Sequence, residues 1–190
     1  LESSSAASDV YKRQLITGGT SGIGAETARL FIQEGAKVVI SGRSKEKGSR
    51  LAEELGKNAY YCLSDITKEE DIKRAISFTT DKLSKLDILF NNAGGPVGAG
   101  FVEDPLLENV TQKNIDYGVH LLLASVILGT KYAIEPMRKN GGGCIINNSS
   151  IAGLRYRQGD SLYSSLKAAV THFTKTVSYT HLTLPTNSRV

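Results

Sequence analysis

Short apolar runs alternate with amphipathic stretches five times along the chain. Leu15–Thr17 (LIT), Lys37–Ser41 (KVVIS), Ala59–Leu63 (AYYCL), Leu86–Phe90 (LDILF) and Gly143–Asn148 (GCIINN) are short and mostly apolar at successive positions. Strands covered on both faces read this way. Between them, apolar residues recur at helical spacing. Ala25, Ala28, Phe31 and Ile32 form the first set, which Gly35 stops. Leu51 and Leu55 fall on one face of 45–55, and Ile72, Ile76, Thr79 and Leu83 on one face of 68–84. Two further helices are predicted over 112–139 and 161–177. The former is apolar on more than one face (Val119, Leu122, Leu123, Val126, Ile127), so burial by the sheet and by a second subunit is expected. Repeated strand–helix alternation predicts an α/β fold with a doubly wound parallel sheet in a three-layer αβα arrangement. There is no internal repeat and no second domain.

The ends break the pattern. Residues 1–14 (LESSSAASDVYKRQ) and 178–190 (SYTHLTLPTNSRV) continue no neighbouring period and resemble translated adapter read-through. Both are expected to be foreign or disordered tails. That leaves 15–177 as the domain, expected to be an internal piece of a longer protein.

Composition narrows the function classes. The chain has 190 residues, 40% hydrophobic and 22% charged, as in an ordinary globular domain. Its net charge is +4, with Lys and Arg interspersed among acids, so nucleic acid is not an expected partner. The longest apolar run, Leu121 to Leu128, is too short to span a bilayer, and no membrane partner is expected. Cys62 and Cys144 both lie in apolar strand runs and are expected to be buried, reduced thiols, which suits the cytoplasm. The three histidines have no Cys or acidic partners at ligand spacing, so no metal site is expected. His120 reads as a packed or interface residue rather than a base.

Candidate chemistry sits where strands end. After Leu15–Thr17 comes Gly18-Gly19-Thr20-Ser21-Gly22-Ile23-Gly24, and then a helix. Glycines there allow close approach of a ligand to the backbone, and the helix N-terminus offers free N–H groups to a pyrophosphate. The spacing is G-x-x-x-G-x-G, and no G-K-[ST] follows, so it is not a P-loop. The second strand ends in Gly42-Arg43-Ser44, without the acid that would hold a ribose 2′-OH. Arg43 can instead pair with a 2′-phosphate, which favours NADP over NAD. Asp65 has two readings, as an acceptor for an adenine amino group or as a turn or cap residue. Asn91-Asn92-Ala93-Gly94-Gly95 closes the fourth strand with small residues suited to a ligand crevice, and the loop Pro96–Val110 lies near a substrate in this reading.

The stretch Ser150 to Lys167 carries the reactive groups. Tyr163 and Lys167 are four apart and share one helix face. An ammonium one turn from a phenol stabilises the phenolate, which makes Tyr163 a proton donor or acceptor near neutral pH.

Taken together, TGGTSGIG (17–24), Asp65, NNAG (91–94), a serine upstream and the Y-x-x-x-K at 163–167 resemble the short-chain dehydrogenase/reductases. The resemblance covers essentially all of 15–177. It implies a Rossmann-like fold and an NAD(P)-dependent enzyme interconverting a secondary alcohol and a ketone by hydride transfer, a homodimer or homotetramer when full length. Gly18, Gly22 and Gly24, with Thr17, Thr20, Ser21 and Ile23, are implied to bind the pyrophosphate side of the cofactor. Asp65 and Ile66 are implied to meet the adenine, and Asn92, Ala93 and Gly94 to flank the adenosine. Ser150 is implied to hydrogen-bond the substrate oxygen, Tyr163 to exchange its proton, and Lys167 to assist Tyr163 and bind the nicotinamide ribose. Ser149 rivals Ser150, but the family's serine-to-tyrosine spacing is thirteen, and 163 − 150 = 13. The family's active-site asparagine falls at Leu122, and Asn114 is eight positions too early to replace it. Nothing after residue 177 resembles the family's sixth and seventh strands or its substrate-covering helices, so an incomplete pocket is expected. The alternative reading is a catalytically inactive nucleotide-binding or scaffold member of the same fold.

Overall fold

The computed structural model describes residues 12–95, 107–155 and 161–181. Five parallel strands form one sheet in the order β3-β2-β1-β4-β5. They are β1 (Arg13–Thr17), β2 (Lys37–Gly42), β3 (Ala59–Leu63), β4 (Ile88–Asn91) and β5 (Cys144–Asn147). The helices are α1 (Gly22–Gln33), α2 (Lys45–Leu55), α3 (Glu69–Leu83), α4 (Gln112–Gly118), α5 (Ser125–Lys139) and α6 (Ser161–His181). The Rossmann-like α/β architecture expected from the pattern is the one found.

Alternate side chains of the central strands supply two cores. Leu15, Val39 and Leu89 point to one face and pack with Ala75, Ile76 and Leu83 of α3 and Ala133 and Met137 of α5. Ile16, Val38 and Ile40 point to the other and pack with Ala25, Ala28 and Leu51 of α1 and α2. A third cluster joins Ile66 and Ile72 to Leu121, Leu122 and Leu166, and ties α6 to the long helix below the site.

Three details differ from the pattern. First, β1 begins at Arg13, inside the stretch set aside as a tail, and α6 runs on to His181. Arg13 N donates to Asp87 Oδ2 at 2.8 Å, which fixes that strand start beside the approach to β4. The rest of both tails (1–11 and 182–190) and most of the loop Pro96–Val110 lie outside the described residues.

Second, the helix expected over 112–139 is interrupted by a π-helical turn at Val119–Ala124. The wider turn lets Leu121 and Leu122, adjacent in sequence, both enter the third cluster. Gln112–Lys139 is long and apolar enough to cross a membrane by length and composition, but 44% of its most apolar stretch is buried inside the protein.

Third, Cys62 is buried as expected but Cys144 is exposed. β5 is an edge strand, and its Ile145 packs into the α3/α5 core while Cys144 and Ile146 turn to the opposite face. There α1 and α2 do not reach across, and Ile146 is left 42% exposed. The expectation of a buried thiol assumed cover on both faces, which an edge strand lacks.

Candidate active site

The carboxyl ends of β1, β4 and β5 meet at the point where strand order reverses, the place where an open α/β sheet forms its ligand crevice. The first turn is the glycine stretch between β1 and α1. Gly18 has φ +62°, and a Cβ on Gly24 would lie 2.4 Å from the Gly18 carbonyl oxygen, so this turn closes only on a residue without a side chain. Ser21 takes the N-cap position of α1 but makes no side-chain cap hydrogen bond. The N–H groups of the first helical turn are therefore left without a side-chain partner from the cap. Ile23 stands at the helix start with its side chain exposed, and Thr20 packs against Gly42 at the end of β2.

The β1 and β4 turns are bolted together. Thr17 Oγ1 accepts from the backbone N–H groups of Asn92 and Ala93, both at 3.1 Å. Asn92 Nδ2 reaches back to the carbonyls of Thr17 (3.0 Å) and Gly18 (3.3 Å). The Asn92 side chain thus braces the glycine turn from below. A Cβ added to Gly94 would meet Leu122 Cδ2 at 3.3 Å and Lys167 Nζ at 3.7 Å, so Gly94 forms the floor between those two side chains.

Beyond β5 the two serines separate. Ser149 Oγ donates to the Lys167 carbonyl at 2.9 Å and lies 2.6 Å from Thr171 Oγ1, which ties it to the backbone of α6. Ser150 instead caps a short 3₁₀ turn, Ile151–Gly153, where its Oγ accepts from Ala152 N at 3.2 Å. From α6, Tyr163 is half-buried against Leu121, Leu122 and Leu166. The Lys167 ammonium lies 5.8 Å from the Tyr163 ring centre and donates to the Asn148 carbonyl at 2.7 Å. Only 4% of Lys167 is exposed. Burial pushes its pKa below the ordinary lysine value, since desolvation disfavours the charged form.

The family model for short chain dehydrogenases matches residues 12–183. The chain belongs to that family. Among its relatives, (+)-borneol dehydrogenase 2 of Salvia officinalis is 38% identical over 168 residues, covering 86% of this chain and 57% of the relative. Tropinone reductase-like 1 of Erythroxylum coca is 36% identical, covering 88% and 61%. The 7alpha-hydroxysteroid dehydrogenase of Bacteroides fragilis is 34% identical, covering 86% and 63%. The chain therefore spans about three-fifths of the length of the relatives it matches.

In this short-chain dehydrogenase the groups that would hold a dinucleotide fit one on the structure's own terms. Side chains at Gly18 and Gly24 would collide with neighbouring atoms, Gly22 holds a positive φ of +52°, and the start of α1 has no side-chain cap. Arg43 is exposed directly past β2 and makes no ion pair among the described residues. Asp65 turns out to organise its own loop: its Oδ1 accepts from Thr67 N (3.1 Å) and Thr67 Oγ1 (2.8 Å), while Lys68 takes the N-cap of α3. Ile66 is mostly buried, packed with Ile72, Leu121 and Leu122. Leu122, where the family's asparagine was expected, is 1% exposed within the π-helical turn.

Two contacts that shape this region were missed in the sequence. Asp71 Oδ2 accepts from Asp65 N at 2.8 Å and its Oδ1 pairs with Arg74 at 2.8 Å. The Asp65 N–H and then Arg74 hold its carboxyl below the usual range. Asn148 looked like the tail of a strand, yet its carbonyl holds Lys167.

Proposed function

We propose that this chain carries the cofactor half of an NAD(P)-dependent oxidoreductase that interconverts a secondary alcohol and a ketone. The observation behind the reading is the Tyr163–Lys167 pair on α6, with the Lys167 ammonium 5.8 Å from the Tyr163 ring centre and bonded to the Asn148 carbonyl two residues before Ser150. The nicotinamide would supply or remove the hydride. The start of α1 binds a pyrophosphate, with Gly18, Gly22 and Gly24 giving close approach and Thr17, Thr20, Ser21 and Ile23 shaping the turn. Arg43 pairs with a 2′-phosphate, so NADP is the favoured cofactor. Asp65, Ile66, Asn92, Ala93 and Gly94 border the adenosine. Tyr163 donates its phenolic proton to a ketone oxygen, or takes the proton of an alcohol. The Ser150 hydroxyl donates to the same oxygen and stabilises the charge that builds there. Lys167 places an ammonium beside the Tyr163 ring. The two unpaired thiols are compatible with the cytoplasm. Ile115, Tyr117 and Ile127, each more than one-third exposed on the long helix, support a homodimer or homotetramer.

One observation favours a second reading, nucleotide binding without turnover. Leu122 places a buried apolar side chain where the family's asparagine was expected. Mixing the chain with NADPH and following cofactor fluorescence, then its oxidation on a panel of ketones, separates the two. Binding with turnover that falls at least 100-fold in Tyr163→Phe, cofactor affinity unchanged, is expected. Turnover retained in Tyr163→Phe sinks the mechanism, and binding without any turnover supports either the second reading or the incomplete pocket.

A further inference from the structure

We propose that Asn148 is a positioning residue that couples the glycine turn to the Lys167 ammonium, a role that bears on catalysis only if the reading above holds. Three connected hydrogen bonds carry the inference. Asn92 Nδ2 donates to the Gly18 carbonyl at 3.3 Å, Asn148 Nδ2 donates to Asn92 Oδ1 at 3.2 Å, and Lys167 Nζ donates to the Asn148 carbonyl at 2.7 Å. A further bond, from Asn148 N to the Asn91 carbonyl at 3.0 Å, pins the same residue to the end of β4.

The chemistry of each link requires an amide. Asn92 spends its NH₂ group on the carbonyls of Thr17 and Gly18, so only its oxygen can face β5. The group opposite must therefore be a donor. Asn148 supplies it, and in doing so fixes its own peptide plane, whose carbonyl is the acceptor for Lys167. A leucine of similar size at 148 would fill the space but leave Asn92 Oδ1 unpaired and the carbonyl unanchored.

Besides this carbonyl, the ammonium faces the Tyr163 ring, whose centre lies 5.8 Å away. Among the described residues no carboxylate lies within ion-pair distance of Lys167, and Leu122 offers an apolar wall on the Gly94 side. A buried ammonium without a carboxylate depends on whatever carbonyl is presented to it. Asn148 presents one, and its orientation is set from the pyrophosphate turn. A ligand that orders the Gly18 peptide thereby orders the carbonyl that holds Lys167.

The test uses the whole chain with ¹³C,¹⁵N-labelled lysine, the Lys167 side-chain signal being identified by its loss in Lys167→Met. In Asn148→Leu that signal is expected to move towards the positions of the exposed lysines. In Asn92→Leu, which removes no atom touching Lys167, it is expected to move the same way. Circular dichroism establishes that each variant is folded, and one folded variant suffices. An unchanged Lys167 signal in a folded variant overturns the proposal. The catalytic arm is read separately: Asn148→Leu is expected to lower kcat on a ketone about tenfold and to raise the KM for NADPH several-fold. A wild-type chain that neither binds nor turns over NADPH defeats the oxidoreductase reading while the lysine signal still decides the role of Asn148.

Discussion

Gly153 lies against the backbone of Lys167: a Cβ placed on Gly153 would sit 2.5 Å from the Lys167 carbonyl carbon and 2.6 Å from Ala168 N. The 3₁₀ turn that follows Ser150 therefore rests directly on α6, with nothing between the two backbones. This contact sets the separation between the turn carrying Ser150 and the helix carrying Tyr163 and Lys167. Backbone atoms of a packed helix cannot yield as a side-chain tip can. Gly153→Ala is expected to cost about 1–3 kcal/mol, seen as a lower Tm. It should also reduce turnover at least tenfold with smaller change in cofactor affinity, because a displaced Ser150 misaligns the reacting oxygen. Thermal melts and NADPH oxidation rates check the two halves.

Asp71 fastens the Asp65 turn through its carboxylate, which accepts from Asp65 N and pairs with Arg74. Its folded pKa is lowered, chiefly by the Asp65 N–H and then by Arg74. A lowered carboxylate contributes stability that is fully present above its unfolded pKa of about 4 and is lost as pH falls through the folded value. Asp71→Asn is expected to cost about 1 kcal/mol at pH 7 and progressively less as pH falls through the lowered folded value. Urea unfolding of both proteins between pH 2 and pH 7 measures it. A constant difference across that range contradicts the account.

How far the sequence disclosed this arrangement depends on where each residue's partners lie. β2 was plain because both its faces are buried and its neighbours in the chain say so. Tyr163 and Lys167 were singled out by their spacing, and Ser150 was preferred to Ser149 on the family's serine-to-tyrosine interval. Cys144 was not legible as exposed, since the burial of an edge strand is decided by how far the helices reach across it. The π-helical turn left no trace because the apolar pattern of 112–139 suits a continuous helix equally well. Asn148 was hidden for a similar reason: its side-chain partner Asn92 is 56 positions away, and an asparagine at a strand end reads as an ordinary stop. Asp71 is bound to Asp65 across a turn, and that contact needed the turn to be seen folded.

Arg43 tests cofactor choice. It is exposed beyond the last residue of β2, and Tyr61 OH pins that strand end by donating to the Gly42 carbonyl at 2.8 Å. A guanidinium so placed pairs with a phosphate without having to leave an internal carboxylate. Arg43→Ala is expected to weaken NADPH binding about tenfold or more, the scale of one charge-assisted contact of about 1.4 kcal/mol or more. NADH binding should change less than about twofold, since no 2′-phosphate is present to lose its partner. Fluorescence titration with both cofactors decides it: an equal loss for the two contradicts a 2′-phosphate role, and no loss for either assigns Arg43 to the surface alone.

Lys167 carries a stability cost that can be measured. Its ammonium is buried, and desolvation lowers its pKa from the ordinary 10.5. The folded chain therefore releases this proton at a lower pH than the unfolded chain does. Between the lowered value and 10.5 the unfolded state binds more protons, so this group's contribution to stability rises with pH across that window. Below the window the folded state bears the penalty of a buried charge held by the Asn148 carbonyl beside the Tyr163 ring. Lys167→Met fills similar space without the charge. It is expected to raise Tm at pH 7, to lose the alkaline rise in stability relative to the parent, and to abolish turnover. Other lysines titrate in the same range, so the difference between the two proteins is the quantity to follow. A Lys167→Met protein no more stable than the parent at pH 7 would mean that the ammonium is well solvated and that burial does not set its proton affinity.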